Sequence, residues 1–128
     1  MAMQQQTQDL SRRETGGLIG SDKVEGTTVY NLNGDKIGSI ERVMIDKLSG
    51  KVAYAVMSFG GFLGLGSDYY PVPWSLLKYN EQLGGYEVNI TESQLKSAPK
   101  FRKDEPWAYG SRDREAQLYT YYNVTPYW

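Results

Sequence analysis

The sequence predicts an all-β fold, a small barrel of five or six strands with a short helix after the last strand and an aromatic C-terminal helical tail. Short β-branched and aromatic runs alternate with turn residues along the chain, and the content of 14 glycines is typical of such turn-rich proteins. A glycine-rich apolar stretch, residues 58–66, separates a dense β-forming run from a proline-containing segment. At 128 residues the chain is long enough to bury one core without metal or disulfide support.

A hairpin is predicted near the start of the barrel. Residues 27–30 are β-branched and aromatic, and Asn33-Gly34 after them favours a type I′ turn, which needs positive φ at both central residues. Residues 36–46 form the second strand, but their apolar side chains occur in both parities. We therefore expect a β-bulge or burial on both faces, and a bulge suits a strand that curls around a barrel.

The middle of the barrel is predicted to be a strand covered on both sides. Residues 47–50 form a turn, and residues 51–59 follow with apolar side chains in both parities. Residues 69–74 continue in an extended pattern, but Pro71 and Pro73 cannot donate ladder hydrogen bonds. We expect these prolines at a sheet edge or a bulge.

The last predicted strand leads directly into a helix. Residues 86–90 alternate apolar and polar side chains, as a half-buried strand does. Thr91 and Gln94 have the spacing of a capping box, in which each side chain bonds the other residue's backbone N–H at a helix start. The helix is expected to end before Pro99, because proline disfavours helical geometry in the residue before it.

The C-terminal segment differs in composition from the rest of the chain. Residues 101–128 contain eight of the seventeen aromatic residues, and Ser111 is placed to cap a helix from residue 112 to about residue 122. We expect residues 1–17 to be a flexible polar tail, residues 18–100 to form the barrel, and residues 101–128 to pack on the barrel or on a second subunit. The residues predicted to make this tail or dimer contact are Trp107, Tyr119, Tyr122, Tyr127 and Trp128.

Composition excludes most catalytic chemistry. With no Cys and no His, the chain cannot supply a thiol nucleophile, an imidazole base, a disulfide or the usual zinc site. We therefore predict a non-enzymatic protein without a cofactor or metal. The polar start offers no signal-peptide core, and the longest apolar run, residues 52–57, is far shorter than the ~20 residues of a membrane helix. We expect a cytoplasmic protein with no membrane insertion.

The glycine-rich loop is the first candidate binding site. Phe62, Leu63 and Leu65 stand among glycines that offer little side-chain cover, so they are candidates for an exposed contact with a partner protein or a second copy. Trp74, which follows the prolines, is assigned to the same partner-binding set. The alternative is that the three apolar side chains fold back to plug the barrel mouth.

A second candidate site mixes basic and aromatic residues. Residues 96–114 include Lys100, Arg102, Lys103 and Arg112, and such a mixture can bind RNA through phosphate contacts and base stacking. Acidic residues in the same segment partly offset the charge, and the whole chain has a net charge of -1. The alternative is a solvated linker whose aromatic residues pack on the barrel.

Two weaker patterns have structural explanations. Asn31 to Asp35 has some features of a calcium loop, but the predicted hairpin turn accounts for it and the distal Glu of such a loop is missing. Glu41 and Asp46 are carboxylates that could work as an acid–base pair, but their spacing places them on opposite faces of a regular strand. We expect both to be solvated surface charges.

Four segments in order resemble the PRC-barrel domain, which is named after the cytoplasmic part of the photosynthetic reaction centre H subunit. They are GDKIGSI at 34–40, IDKLSGKVAY at 45–54, FGGFLG at 59–64 and VPW at 72–74. The resemblance implies a small antiparallel β-barrel that serves mainly as an interaction module. It does not extend to the membrane helix of the H subunit, or to the separate N-terminal domain of the ribosomal RNA maturation factor that also carries this barrel.

Together these observations predict a non-catalytic, homodimeric adaptor that binds another protein or itself through the loop around Phe62. The alternative is an RNA- or ribosome-associated accessory protein that uses residues 96–114.

Overall fold

The computed structural model describes residues 14–15, 17–59, 68–104 and 111–128, most of which belong to one β-sheet or pack against it. The strands are β1 (Glu14–Thr15), β2 (Leu18–Ile19), β3 (Thr28–Tyr30), β4 (Lys36–Ile45), β5 (Val52–Phe59), β6 (Asp68–Pro73), β7 (Lys78–Asn80), β8 (Gly85–Glu87) and β9 (Phe101–Arg102). The α-helices are α1 (Ser21–Val24), α2 (Glu92–Ser97) and α3 (Arg112–Tyr121), and a 3-10 helix covers Trp74–Leu76. No helix in this part of the chain is long and apolar enough to cross a membrane.

The sheet corrects the expected barrel in three respects. It has seven strands in the order β7-β8-β3-β4-β5-β6-β9, it does not close into a barrel, and β3 pairs with β8 in parallel. The other neighbours are antiparallel, and β1 and β2 form a separate two-stranded hairpin. The residues of β6 give a physical reason why the sheet does not close. β9 pairs with Asp68 and Tyr69 at the start of β6, but Pro71 and Pro73 later in the strand have no N–H to donate to a neighbouring strand.

The predicted hairpin between β3 and β4 is confirmed, but its turn is not type I′. Gly34 has a φ of +84°, whereas Asn33 stays at negative φ. The Asn31 side-chain oxygen accepts hydrogen bonds from the backbone N–H groups of Asn33 and Asp35, each at 2.9 Å. An Asx-type turn centred on Asn31 therefore replaces the predicted geometry. The same hydrogen bonds give a structural role to the segment from Asn31 to Asp35, whose sequence has some features of a calcium loop.

Two bulges in the β4–β5 ladder confirm the irregularity predicted for the second strand. The register passes from Ile40↔Met57 to Arg42↔Val56, which leaves Glu41 without a partner position. It then passes from Met44↔Tyr54 to Ile45↔Val52, which leaves out Ala53. Ile37 and Ile40, which have opposite parity, are both buried ahead of the bulge at Glu41, so this part of β4 is covered on both faces.

The core is centred on β5, as predicted for a strand covered on both sides. The residues from Ala53 to Met57 are all buried, and Phe59 packs edge-to-face on Tyr70 of β6 at 5.2 Å. Pro71 and Pro73 lie opposite Val56 and Tyr54, with their side chains fully buried.

Both predicted helix starts are confirmed. Thr91 and Gln94 form the complete capping box of α2, and the Ser111 hydroxyl accepts a hydrogen bond from the Arg114 N–H at the start of α3. One side of α3, with Glu115, Leu118 and Tyr119, is buried. The C-terminal extension thus packs on the sheet of its own chain.

Candidate functional site

The candidate binding site in the described part of the chain is a groove at the β7 end of the sheet. We call it the aromatic groove; it has a volume of about 690 Å³. Its lining includes Leu18, Ile19, Trp74, Tyr79, Glu81 and Tyr86. These residues come from the β2 strand, the 3-10 helix and the β7–β8 hairpin, so the site is assembled from three separate segments.

Three aromatic rings form a continuous row along the groove. Tyr79 lies directly opposite Tyr86 in the β7–β8 register, and their ring centroids are 5.1 Å apart at an interplanar angle of 71°. The Trp74 ring also contacts Tyr86, at a centroid separation of 5.3 Å and an interplanar angle of 60°. Tyr86 is thus the central ring, and edge-to-face contacts fix the orientation of both neighbours.

Local sequence explains how Trp74 reaches this position. Pro73 ends β6, and the chain turns through the 3-10 helix, after which the backbone N–H of Leu77 donates to the Trp74 carbonyl at 3.0 Å. The turn redirects the chain into β7, which carries Tyr79 beside Tyr86. Trp74 therefore lies at the corner between the end of β6 and the β7–β8 hairpin.

The groove exposes apolar surface to solvent. Leu18 is 78% exposed and Tyr79 is 37% exposed, while Trp74 is half-buried and Tyr86 is buried. Among the described residues that line the groove, Glu81 alone has a charged side chain. Apolar walls with one charge at the rim suit recognition of a partially apolar ligand and supply no evident acid–base pair.

The structure places one predicted partner-binding residue in the groove. Trp74 belongs to the row of rings. Phe62, Leu63 and Leu65 lie outside the described residues. The other two rings of the row, Tyr79 and Tyr86, were not predicted as site residues. They lie equally far from the turn between β7 and β8, so a predicted hairpin register would have paired them.

The C-terminal aromatic residues form a cluster on α3 and β5. The Tyr119 hydroxyl donates to the carbonyl of Ala53, and the Tyr127 hydroxyl donates to Glu115 Oε2 at 2.8 Å. The ring of Trp128 lies 4.0 Å from the Arg112 guanidinium carbon, and Arg112 Nε also lies 3.5 Å from Glu115 Oε1. These contacts are made within one chain. Trp107 lies outside the described residues.

Burial raises the pKa of three tyrosine hydroxyls in the C-terminal extension. Burial is the largest cause that raises the pKa of Tyr119 and of Tyr122, and nearby Glu115 adds to the effect at Tyr119. Burial, with a hydrogen bond to Glu115, raises the pKa of Tyr127 to about 12. These tyrosines are therefore neutral near pH 7. The hydroxyls of Tyr119 and Tyr127 donate hydrogen bonds, whereas the buried hydroxyl of Tyr122 has no hydrogen-bond partner among the described residues.

The basic residues predicted for RNA contact are engaged within the chain. Lys100 donates to the Lys96 carbonyl at 2.9 Å and stands 5.7 Å from the centroid of the Tyr70 ring. Lys103 stands 5.6 Å from the Tyr69 ring centroid. Arg102 Nε lies 3.4 Å from an Asp104 oxygen, and Arg112 is held by the contacts described above. Nucleic acid would have to compete with these contacts.

The two candidate carboxylates have separate structural partners. Glu41 Oε2 accepts a hydrogen bond from Ser58 Oγ at 2.8 Å, and Asp46 accepts one from the Ser49 N–H at 2.8 Å. Hydrogen bonding to Ser49 holds the pKa of Asp46 below its ordinary range. No group of three or more acidic side chains in the described ranges is placed to hold a metal ion.

Comparison with known proteins matches the chain to a family profile and to a distant relative. The family profile described as PRC-barrel domain matches residues 17–95. An uncharacterized protein of Deinococcus radiodurans is 24% identical over 93 residues, covering 73% of this chain and 33% of that protein. The chain therefore spans about a third of the length of this curated relative. The aromatic groove lies inside the segment that the family profile matches, whereas α3 lies outside it.

Proposed function

The chain belongs to the PRC-barrel domain family, and from this premise we propose that it is a non-catalytic protein-interaction module whose contact surface is the aromatic groove. The observation that carries the proposal is the row of three rings in which Trp74 and Tyr79 keep solvent-facing surface around Tyr86. Tyr and Trp are enriched among residues that dominate protein-binding energy, because they bury large area with few rotatable bonds.

The chemistry of the described side chains supports a binding role over a catalytic one. The sequence has no His or Cys. Glu41 accepts a hydrogen bond from Ser58, and Asp46 accepts one from Ser49. The tyrosines with raised pKa, Tyr119, Tyr122 and Tyr127, are poor proton acceptors near neutral pH. A groove whose described lining holds one charged side chain, Glu81, suits binding without group transfer.

Self-association is a second part of the proposal. Phe62, Leu63 and Leu65 are apolar residues among glycines, and a symmetric dimer is the commonest assembly of soluble proteins. We propose that this loop joins two copies. Phe62→Asp should then halve the assembly mass in sedimentation equilibrium; an unchanged mass would remove the loop from the dimer contact.

The RNA-binding alternative through residues 96–114 has less support. Lys100 and Lys103 lie over tyrosine rings of their own chain, and Arg102 lies beside Asp104. An RNA complex driven by phosphate contacts would weaken steeply between low and moderate salt, whereas an apolar contact would not. Salt dependence therefore separates the two functions.

The test is a capture experiment from a lysate of the source organism, with and without nuclease. The native chain is compared with Tyr79→Ser, which removes a ring from the groove, and with Leu48→Ser. Leu48 is 98% exposed and does not line the groove, so it is the matched control for loss of exposed apolar area. We expect nuclease-resistant capture of a protein that Tyr79→Ser loses and Leu48→Ser keeps.

Two results would contradict the proposal. Capture that Tyr79→Ser leaves unchanged would exclude the groove as the contact surface. Recovery of ribosomal components that disappears with nuclease would favour the RNA-binding alternative.

A further inference from the structure

We infer that the aromatic groove binds an extended, proline-rich peptide that carries a basic residue at one end. The inference rests on the proposed interaction function and names the class of partner. It follows from the geometry of the three rings, from the position of Glu81 and from the composition of the adjacent sheet edge.

The ring geometry fits proline side chains. Neighbouring rings in the row meet at steep angles, 71° for Tyr79 with Tyr86 and 60° for Trp74 with Tyr86, at centroid separations of 5.1 and 5.3 Å. Steeply inclined rings present a notch where the edge of one ring meets the face of the next, and a pyrrolidine ring is compact, apolar and conformationally restricted. Polyproline II segments dock in aromatic-lined grooves in this way, with little loss of conformational entropy.

Charge at the rim gives the peptide a direction. Among the described residues of the groove the charged side chain is Glu81, while Lys78 stands opposite Glu87 in the β7–β8 register. An arginine or lysine at one end of the peptide would complement Glu81, whereas an acidic residue there would be repelled. The apolar residues Leu18 and Ile19 extend the wall of the groove.

The adjacent sheet edge argues against a second copy as the occupant. β7 ends the sheet, but it is three residues long, and Lys78 and Asn80 flank Tyr79. Lysine on a short strand opposes edge-to-edge pairing, and asparagine is depleted in strands. A ligand held by its side chains between the rings therefore fits better than one held by backbone pairing along β7.

The test is calorimetric titration of the full chain with a short synthetic peptide of repeated Pro-Pro-Leu units that ends in Arg. The first control peptide has Ala in place of every Pro, and the second ends in Glu. We expect the Pro-Arg peptide to bind, the alanine peptide to bind at least about tenfold more weakly, and Tyr79→Ser to weaken binding at least about tenfold, as expected when an aromatic side chain that dominates a contact is truncated.

Reversing the charge at Glu81 separates an effect on peptide binding from an effect on folding. Glu81 is exposed, so Glu81→Lys should leave the far-UV circular dichroism unchanged. This variant should lose about two- to fivefold in affinity for the peptide ending in Arg and gain a similar factor for the peptide ending in Glu, the size expected of a solvent-exposed charge pair.

Failure of the inference is distinct from failure of the proposed function. Equal binding of the proline and alanine peptides, or no binding of either, would overturn the inference. A groove-dependent capture of a folded protein would then still support the interaction module. Dimerisation that Tyr79→Ser abolishes in the absence of peptide would also overturn the inference, because it would make a second copy the occupant.

Discussion

The hydroxyl of Tyr119 donates a hydrogen bond to the carbonyl of Ala53, the residue that the β4–β5 register leaves out. A bulge leaves its extra residue without a ladder partner, and a buried carbonyl without a partner is costly. Both residues are buried, so water does not substitute easily. The C-terminal extension therefore completes the hydrogen bonding of the central strand.

Tyr119→Phe should lower the free energy of unfolding by about 1–3 kcal/mol, because it keeps the ring but leaves the Ala53 carbonyl unsatisfied. Urea denaturation monitored by fluorescence measures the change. Tyr121→Phe is the matched control: it removes a hydroxyl that donates to the Gln94 carbonyl at 2.6 Å on the exposed side of α3. Equal effects of the two substitutions would show that the Ala53 bulge does not depend on Tyr119.

Stability should fall at alkaline pH. Burial raises the folded-state pKa of Tyr119 and Tyr122 above the ordinary value of 10, so the folded chain holds these protons more tightly than the unfolded chain. Their contribution is fully present below about pH 10 and is lost as the pH rises through the folded pKa values. Urea midpoints between pH 8 and pH 11 measure the effect, and a flat profile across pH 10 would contradict it.

Tyrosinate absorbance gives a separate check of the same groups. Tyr119 and Tyr122 should ionise above the ordinary tyrosine pKa of 10, and Tyr122→Phe should reduce the absorbance change that appears there.

Gly38→Ala should destabilise the sheet strongly. A Cβ at Gly38 would stand 2.1 Å from the Ser58 carbonyl oxygen, which belongs to the rigid backbone of β5. We expect a loss of about 2–3 kcal/mol, the upper part of the range for overpacking. Gly17→Ala serves as the control, because a Cβ there meets no atom within 4 Å. Similar stability of the two variants would refute the close approach of β4 to β5.

Trp128→Ala should have a moderate effect. Trp128 is 48% exposed, but its ring contacts Tyr119 at 5.4 Å and Tyr127 at 5.0 Å as well as the Arg112 guanidinium, so the loss should be about 1–2 kcal/mol. The assembly mass in sedimentation equilibrium should not change, because these contacts lie within one chain. A change of mass would show that the C-terminal residues reach a second subunit.

Local chemistry made part of this fold predictable. The capping box of Thr91 and Gln94 and the cap at Ser111 depend on residues a few positions apart, and the structure has both. The bulge in β4 could be predicted because two parities of apolar residues conflict within one strand. Its position at Glu41, and the second bulge at Ala53, depend on the pairing with β5, which the pattern of β4 alone does not specify.

Long-range pairing made the rest unpredictable. The parallel partnership of Val29 with Tyr86 joins distant segments, and neither segment carries a feature that specifies it. The candidate site was predictable through Trp74 alone, because the ring contacts with Tyr86 depend on the corner after Pro73. The turn after β3 differs from the predicted type I′ turn because the Asn31 side-chain oxygen accepts hydrogen bonds from two backbone N–H groups. This arrangement competes with the type I′ geometry.

The parallel pairing of β3 with β8 also has a kinetic consequence. β3, β4 and β5 follow one another through tight turns, whereas β8 can join β3 only after a long loop has closed, which costs entropy in the folding transition state. We expect the β3–β5 meander to form first and the hairpin that carries Tyr79 and Tyr86 to dock afterwards. In stopped-flow refolding, near-UV circular dichroism from the aromatic row should lag behind the far-UV signal, and simultaneous phases would refute this order. The groove is then the last part of the sheet to form, and a ligand that holds its rings together would slow unfolding of the whole chain.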